Sequence, residues 1–127
     1  MGLDMYAYAV KKSQHLKDVD QNLSDCERIG DELYYWRKHH DLHGWMEGLY
    51  RDKGGLDEFN CATVRLDQSD LLDLQLAVID KQLPRTSGFF FGDNPPDDES
   101  SKYDLEFIAK ALAEIKKGNA VYYTSWW

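Results

Sequence analysis

The stretch that decides the fold of this chain is residues 35–46, Tyr35-Trp36-Arg37-Lys38-His39-His40-Asp41-Leu42-His43-Gly44-Trp45-Met46. It holds three of the four histidines and two of the four tryptophans of the chain. From Asp31 to about Tyr50, apolar residues recur at helical spacing, which predicts a first helix over this range. In such a helix Trp36, His40 and His43 share one face, because side chains three and four residues apart lie together.

The segments on either side alternate between the periods of strands and helices. A period of two predicts strands at residues 3–10 and 59–66, the first of them in the middle of a sheet, and strand-favouring residues predict a third strand at 120–127. Apolar residues at helical spacing predict two further helices, one from a cap at Asp67 or Ser69 to about Gln82 and one from Tyr103 to Lys117.

Two other segments lack a clear period. Lys11 to Gly30 is polar and is expected to run over the surface, and Thr86 to Gly92 is predicted to be a short Phe-rich strand. Taken together, the elements predict a single α+β domain over residues 1–127, with a three- to four-stranded sheet and about three helices packed on one face.

Composition excludes several classes of protein. Hydrophobic residues make up 43% of the chain and aromatic residues 13%, which is typical of a folded domain. With 15 Lys+Arg against 23 Asp+Glu, the net charge of -8 opposes binding to nucleic acid or to anionic membranes. Two cysteines, Cys26 and Cys61, are too few for a secreted disulfide scaffold, and no apolar run reaches the roughly 20 residues that span a bilayer. These features predict a soluble protein of the cytoplasm.

The aromatic and basic residues favour a binding site. Aromatic rings can stack on a base, and Arg or Lys can bind a phosphate. We therefore expect a nucleotide-like or other anionic small molecule to be held between the first helix and the loop Gly88–Gly92. Core packing is the alternative interpretation of each ring. The candidate ligand-binding residues are Trp36, Arg37, Lys38, His40, His43, Arg85, Phe89, Phe90 and Phe91.

Metal binding and catalysis receive less support from the sequence. His39 and His43 have the i, i+4 spacing of zinc ligands on a helix, but the acid of a zinc-protease helix is missing and the two preceding basic residues oppose a cation. Cys61 is interpreted as a small core residue rather than a nucleophile. We therefore predict no metal, no cofactor and no catalytic residue, while a small hydrolase that uses His40 or His43 as acid or base stays open.

Several motifs, taken together, resemble a family of small uncharacterised proteins encoded by phages and prophages. They are the start Met-Gly-Leu-Asp-Met-Tyr, the segment Tyr35–Lys38 with His43 and Trp45, Leu83-Pro84 with Gly88–Gly92, and the ending Ser125-Trp126-Trp127. The resemblance spans nearly the full chain. It implies a viral or mobile-element context, a cytoplasmic accessory protein in the host cell, and a site near the Trp-Arg-Lys segment and the Phe loop. It implies no particular activity.

These observations lead to one main hypothesis and two alternatives. The main hypothesis is a phage-type binding protein that holds an anionic small molecule and so interferes with host signalling or defence. The first alternative is an acidic inhibitor that covers a basic surface of a host protein in the manner of a nucleic-acid mimic. The second is the histidine-dependent hydrolase. We also expect a homodimer, because so small a domain should not bury both faces of a terminal strand that carries Tyr122, Tyr123, Trp126 and Trp127.

Overall fold

The computed structural model describes residues 2–12, 16–80 and 98–127 of the chain. Within these ranges, four strands form one antiparallel sheet in the order β2-β1-β4-β3. The strands are β1 (Asp4–Lys11), β2 (Tyr34–Arg37), β3 (Thr63–Leu66) and β4 (Asn119–Trp126), and the helices are α1 (His40–Asp52), α2 (Gln68–Ile79) and α3 (Asp98–Lys116). The predicted α+β fold class is therefore confirmed.

The main core lies between the helices and one face of the sheet. Met5 and Ala7 of β1 stand opposite Ser125 and Tyr123 of β4, so alternate residues of the two central strands point to the same face. Met5, Ala7 and Tyr123 form one buried cluster with the apolar faces of the three helices, which contribute Leu42, Met46, Tyr50, Leu71, Leu74, Val78, Phe107, Ile108 and Ala111. The central position predicted for the first strand is confirmed by the strand order.

The polar excursion after β1 covers part of the opposite face of the sheet. It contains a short 3-10 helix, Leu23–Asp25, and returns alongside β1 through hydrogen bonds from the Lys11 amide to the Glu27 carbonyl and from the Ile29 amide to the Ala9 carbonyl, both 2.8 Å long. Its apolar side chains cover a second small cluster made by Val10, Ala120 and Tyr122. This part of the excursion therefore packs on the sheet.

The first helix begins later than predicted. Part of the range that was predicted to be helical, residues 34–37, is a strand. Residues 34–37 pair with β1 as β2, with Met5 opposite Trp36 and Ala7 opposite Tyr34, and the helix begins only at His40. Lys38, at a backbone φ of 60°, turns the chain between the two elements. The helical spacing of the apolar residues gave the wrong prediction here. Tyr34 and Trp36 are two residues apart and both point inward, as alternate residues of a strand do. Gly44 lies inside α1, which continues past it without a break.

Two other predicted elements have different ends in the structure. The predicted strand at residues 59–66 begins only at Thr63, because Cys61 has a left-handed φ of 63° that no regular strand accommodates. Cys61 is exposed, so its interpretation as a small core residue is wrong. Helix α3 begins at Asp98 rather than Tyr103.

The terminal strand is present as predicted, and its tyrosines are more deeply buried than the homodimer prediction assumed. Strand β4 is an inner strand with β1 on one side and β3 on the other, so both of its edges are hydrogen-bonded. Tyr122 and Tyr123 are both fully buried, one on each face of the sheet. Trp126, at the end of the strand, keeps 64% of its surface exposed. None of the helices within the described ranges is long and apolar enough to cross a membrane.

Candidate functional site

A pocket opens between the edge of the sheet and the third helix. It has a volume of about 350 Å³, which falls in the range of small-molecule sites. We call it the β2–α3 pocket. Its lining residues are Tyr34, Tyr35, Trp36, Arg37, His39, Tyr103 and Asp104.

The position of β2 explains why one short strand supplies most of the lining. β2 is the edge strand of the sheet, and successive side chains of a strand point to opposite faces. Tyr34 and Trp36 therefore lie on the helix side and Tyr35 and Arg37 on the other side, and both pairs line the pocket at this edge of the sheet. Helix α3 closes the pocket with Tyr103 and Asp104.

A buried carboxylate anchors the inner wall. Asp104 is 1% exposed, and its two oxygens have separate partners. The indole Nε1–H of Trp36 donates to Oδ1 at 3.2 Å, and Nε2 of His39 lies 2.7 Å from Oδ2. Burial of a charge is tolerated when each of its oxygens is hydrogen-bonded. These two bonds tie β2 and the residue before α1 to α3, and they satisfy both oxygens of the Asp104 carboxylate.

Trp36 is held in place by other rings, whereas two tyrosines are open to solvent. The Trp36 ring packs edge-on against Phe107, with centroids 4.7 Å apart, and lies 4.9 Å from the ring of Tyr34. Tyr35 and Tyr103 keep 44% and 46% of their surfaces exposed. Among the described lining residues, these two rings are the most exposed aromatic surfaces.

Arg37 places a guanidinium group at the rim. Its side chain is 64% exposed and lies 3.8 Å from a carboxylate oxygen of Asp4, while the Tyr35 hydroxyl donates to the same oxygen at 2.8 Å. An exposed ion pair at this distance contributes little to stability. The Arg37 side chain can therefore turn to a ligand anion at small energetic cost.

The predicted site residues divide into three groups. Trp36 and Arg37 line the pocket. Lys38 is exposed beside it and is not a lining residue, while His40 and His43 are each 1% exposed and lie in the core beneath α1. The remaining four predicted residues, Arg85, Phe89, Phe90 and Phe91, lie outside the described residues, as does the loop Gly88–Gly92.

His43 is a core residue in an apolar setting. Its Nδ1 lies 2.7 Å from the hydroxyl oxygen of Tyr123, and its ring lies 4.9 Å from that of Phe59. Burial, with a smaller contribution from the neighbouring His40, lowers the pKa of His43 from 6.5 to about 4. Burial also raises the pKa of Tyr123 well above its usual 10. A hydrolase that uses His40 or His43 receives no support from this arrangement, because neither side chain reaches the pocket.

The histidine pair at zinc-ligand spacing is also divided. His39 precedes α1 and contacts Asp104, whereas His43 lies one turn into the helix and contacts Tyr123. In the part of the chain that the structure describes, no group of three or more His, Cys, Asp or Glu side chains is arranged to hold a metal ion.

A second cavity differs from the first in its chemistry. It has a volume of about 460 Å³ and lies between the surface excursion and the start of β3. Its lining includes Asp20, Asp57 and Glu58 and contains neither a basic nor an aromatic residue. Such a cavity repels anions, so it is less suited to an anionic ligand than the β2–α3 pocket.

Comparison of the chain with models of known protein families, with curated proteins and with solved structures finds no match. The site therefore has to be understood from its own chemistry.

Sequence reasoning missed Tyr34, Tyr35, His39, Tyr103 and Asp104 as site residues. One signal for Asp104 was present: it shares a helical face with Phe107, Ile108 and Ala111, all fully buried. An acid on a buried helix face indicates a carboxylate with dedicated partners, because an unpaired buried charge is strongly unfavourable.

Proposed function

We propose that this protein is a non-catalytic binding protein that holds a nucleotide-like or other flat anionic small molecule in the β2–α3 pocket. One observation carries the proposal: two exposed tyrosine rings and one guanidinium group line the same pocket, and Asp104, the one carboxylate among the described lining residues, is already hydrogen-bonded. No complete set of catalytic groups accompanies them among the described lining residues.

The pocket has a chemical polarity that orients such a ligand. Arg37 lies at the rim and the carboxylate of Asp104 at the inner wall. The phosphate or carboxylate of the ligand is expected at Arg37, where a guanidinium can bind two oxygens at once. Its ring then stacks on Tyr35 or Tyr103, a contact that contributes about 1–3 kcal/mol for a nucleobase.

The phage or prophage context implied by the sequence resemblance suggests a biological role for this binding. A small accessory protein in the host cytoplasm that holds a nucleotide would withdraw it from host signalling or defence. Each protein molecule would withdraw one ligand molecule. The size of the effect would therefore depend on the affinity and on the amount of protein rather than on turnover.

Calorimetry with the full chain tests the proposal. The ligands are nucleoside mono-, di- and triphosphates and cyclic nucleotides, and the variants are Arg37→Gln and Lys38→Gln. These variants remove the same charge from adjacent exposed residues, of which only Arg37 lines the pocket. We expect Arg37→Gln to weaken binding about tenfold and Lys38→Gln to leave it within about twofold, because long-range charge contributes little at physiological salt. Absence of heat with every ligand, or equal losses in both variants, would refute the proposal.

We also propose that the protein self-associates, although fewer exposed aromatic residues support this than the sequence suggested. Of the four terminal aromatic residues that predicted a homodimer, Tyr122 and Tyr123 are buried and Trp126 presents the large exposed ring. A two-fold contact through Trp126 would bury that ring in each subunit. Light scattering at micromolar concentration should then give twice the chain mass for the wild type and the mass of one chain for Trp126→Ala. A monomeric wild type would exclude this dimer.

A further inference from the structure

Helix α2 carries apolar residues on two of its faces. Leu71, Leu74 and Val78 face the core and are buried. Leu72, Leu76 and Ile79 recur at i, i+4 and i+7 on another face and are 43%, 60% and 56% exposed. Single exposed apolar residues are ordinary on protein surfaces, but three aligned on one helix face form a patch of the kind that marks an interface. We call these three residues the α2 outer stripe.

Negative charge borders the α2 outer stripe. Asp73 and Asp80 are exposed, and neither forms an ion pair with a described residue. Asp70, on the same helix, differs because its carboxylate lies 2.7 Å from Nζ of Lys53. α2 contains no basic residue, and Asp80 stands at its C-cap. Because the C-terminal end of a helix already carries partial negative charge, an acid there is unfavourable and a cation is attracted.

We propose that the α2 outer stripe is a docking surface for a basic amphipathic helix of another protein. The apolar face of that helix would cover Leu72, Leu76 and Ile79, and its Lys or Arg side chains would pair with Asp73 and Asp80. A second copy of this chain is a poor occupant, because two-fold pairing of α2 with itself would bring these acids together without a cation from either helix.

The surface is small and lies apart from the ligand pocket. A stripe from Leu72 to Ile79 is about 10 Å long at 1.5 Å per residue, which corresponds to a transient contact rather than a permanent one. α2 supplies no residue to the β2–α3 pocket. The inference therefore does not rest on the proposed ligand binding, and it gives the acidic protein-interaction hypothesis a definite location.

The test uses the full chain and a fluorescent 18-residue peptide designed as a helix with leucines on one face and lysines on the other. Fluorescence anisotropy measures its binding to the wild type, to Leu72→Gln/Leu76→Gln and to Asp73→Asn/Asp80→Asn. A peptide with glutamates in place of the lysines is the control for charge. We expect the lysine peptide to bind at least tenfold more tightly than the glutamate peptide, and both double variants to weaken it about tenfold.

A matched charge control separates this surface from general attraction to an acidic protein. Asp31→Asn/Glu32→Gln removes the same two charges from exposed residues that precede β2, and it should leave the affinity within about twofold. An equal loss in this control and in Asp73→Asn/Asp80→Asn would overturn the proposal, and so would full binding by Leu72→Gln/Leu76→Gln.

Two further outcomes would overturn it in favour of another occupant. If Leu72→Gln/Leu76→Gln unfolds at clearly lower urea concentration than the wild type, the stripe is covered within the chain itself. If the wild type is a dimer that this variant converts to monomer, the stripe pairs two copies.

Discussion

The buried histidine of α1 should make the stability of the protein depend on pH in a defined window. The pKa of His43 is about 4 in the folded chain and about 6.5 in an unfolded chain. As the pH falls below about 6.5, the unfolded state therefore binds the proton first, and the free energy of unfolding decreases until the folded state titrates near pH 4. One pKa unit corresponds to about 1.4 kcal/mol, so the full effect is about 3 kcal/mol, and the part between pH 7 and pH 5 is about 2 kcal/mol.

Urea unfolding of the wild type and of His43→Asn at pH 7 and pH 5 measures this effect. Other acids and histidines titrate in both proteins, so the difference between their pH responses isolates His43. We expect the wild type to lose about 2 kcal/mol more than His43→Asn over this range. The variant is less stable at pH 7, since it leaves space beside Tyr123, but this offset does not enter the comparison. Equal losses in the two proteins would show that His43 is not held neutral by burial.

Three other substitutions test the packing around the site and the core. Asp104→Ala should lower the free energy of unfolding by about 3 kcal/mol, because it leaves the buried indole N–H of Trp36 and the partly buried ring of His39 without their acceptor. Glu106→Ala, at an exposed position of α3 with a loose ion pair, should change it by less than about 0.5 kcal/mol. Similar values for the two variants in urea unfolding would contradict the role of Asp104. Gly55→Ala should lower stability by about 1–3 kcal/mol in the same assay, because its Cβ would lie 2.3 Å from the Tyr50 ring. Gly48 lies inside α1, and a Cβ added there would have nothing within 4 Å. Gly48→Ala should therefore raise the free energy of unfolding by about 0.5–1 kcal/mol, and a decrease would contradict the open space beside Gly48.

Much of the fold follows from local periodicity in the sequence. The central strand β1 alternates between buried and half-buried residues over most of its length, and a sustained period of two is incompatible with an amphipathic helix. β4 is apolar on both faces, and its aromatic and β-branched residues indicate a strand. The apolar spacing of α3 is long enough to predict a helix although its beginning was placed too late. β2 is the exception, because four residues with a nearby helix are too few to separate a period of two from one of 3.6. Its strand conformation depends on pairing with β1 some 30 residues earlier in the chain, which no local pattern reports.

The candidate site was only partly predictable for the same reason. Trp36 and Arg37 could be found because an aromatic and a basic residue stand side by side. Asp104 could not be joined to them, since it is 68 residues from Trp36 and the contact depends on α3 crossing the edge of the sheet. His40 and His43 looked functional because histidines are crowded there, but the register of α1 turns both into the core. Crowding of polar residues thus does not distinguish a site from a hydrogen-bonded interior.

The measurement that tests the central claim most directly is a nuclear magnetic resonance titration of the tryptophan indole N–H signals. The Nε1–H of Trp36 is hydrogen-bonded to Asp104 in the wall of the β2–α3 pocket, whereas Trp126 is exposed on β4 outside it. The chain has four tryptophans, so the variants Trp36→Phe and Trp126→Phe assign these two signals among the four. Addition of the tightest nucleotide from the calorimetric panel should shift the Trp36 signal in a saturable manner and leave the Trp126 signal in place. A Trp36 signal that stays unchanged while binding heat is observed would place the ligand elsewhere and contradict the proposed site.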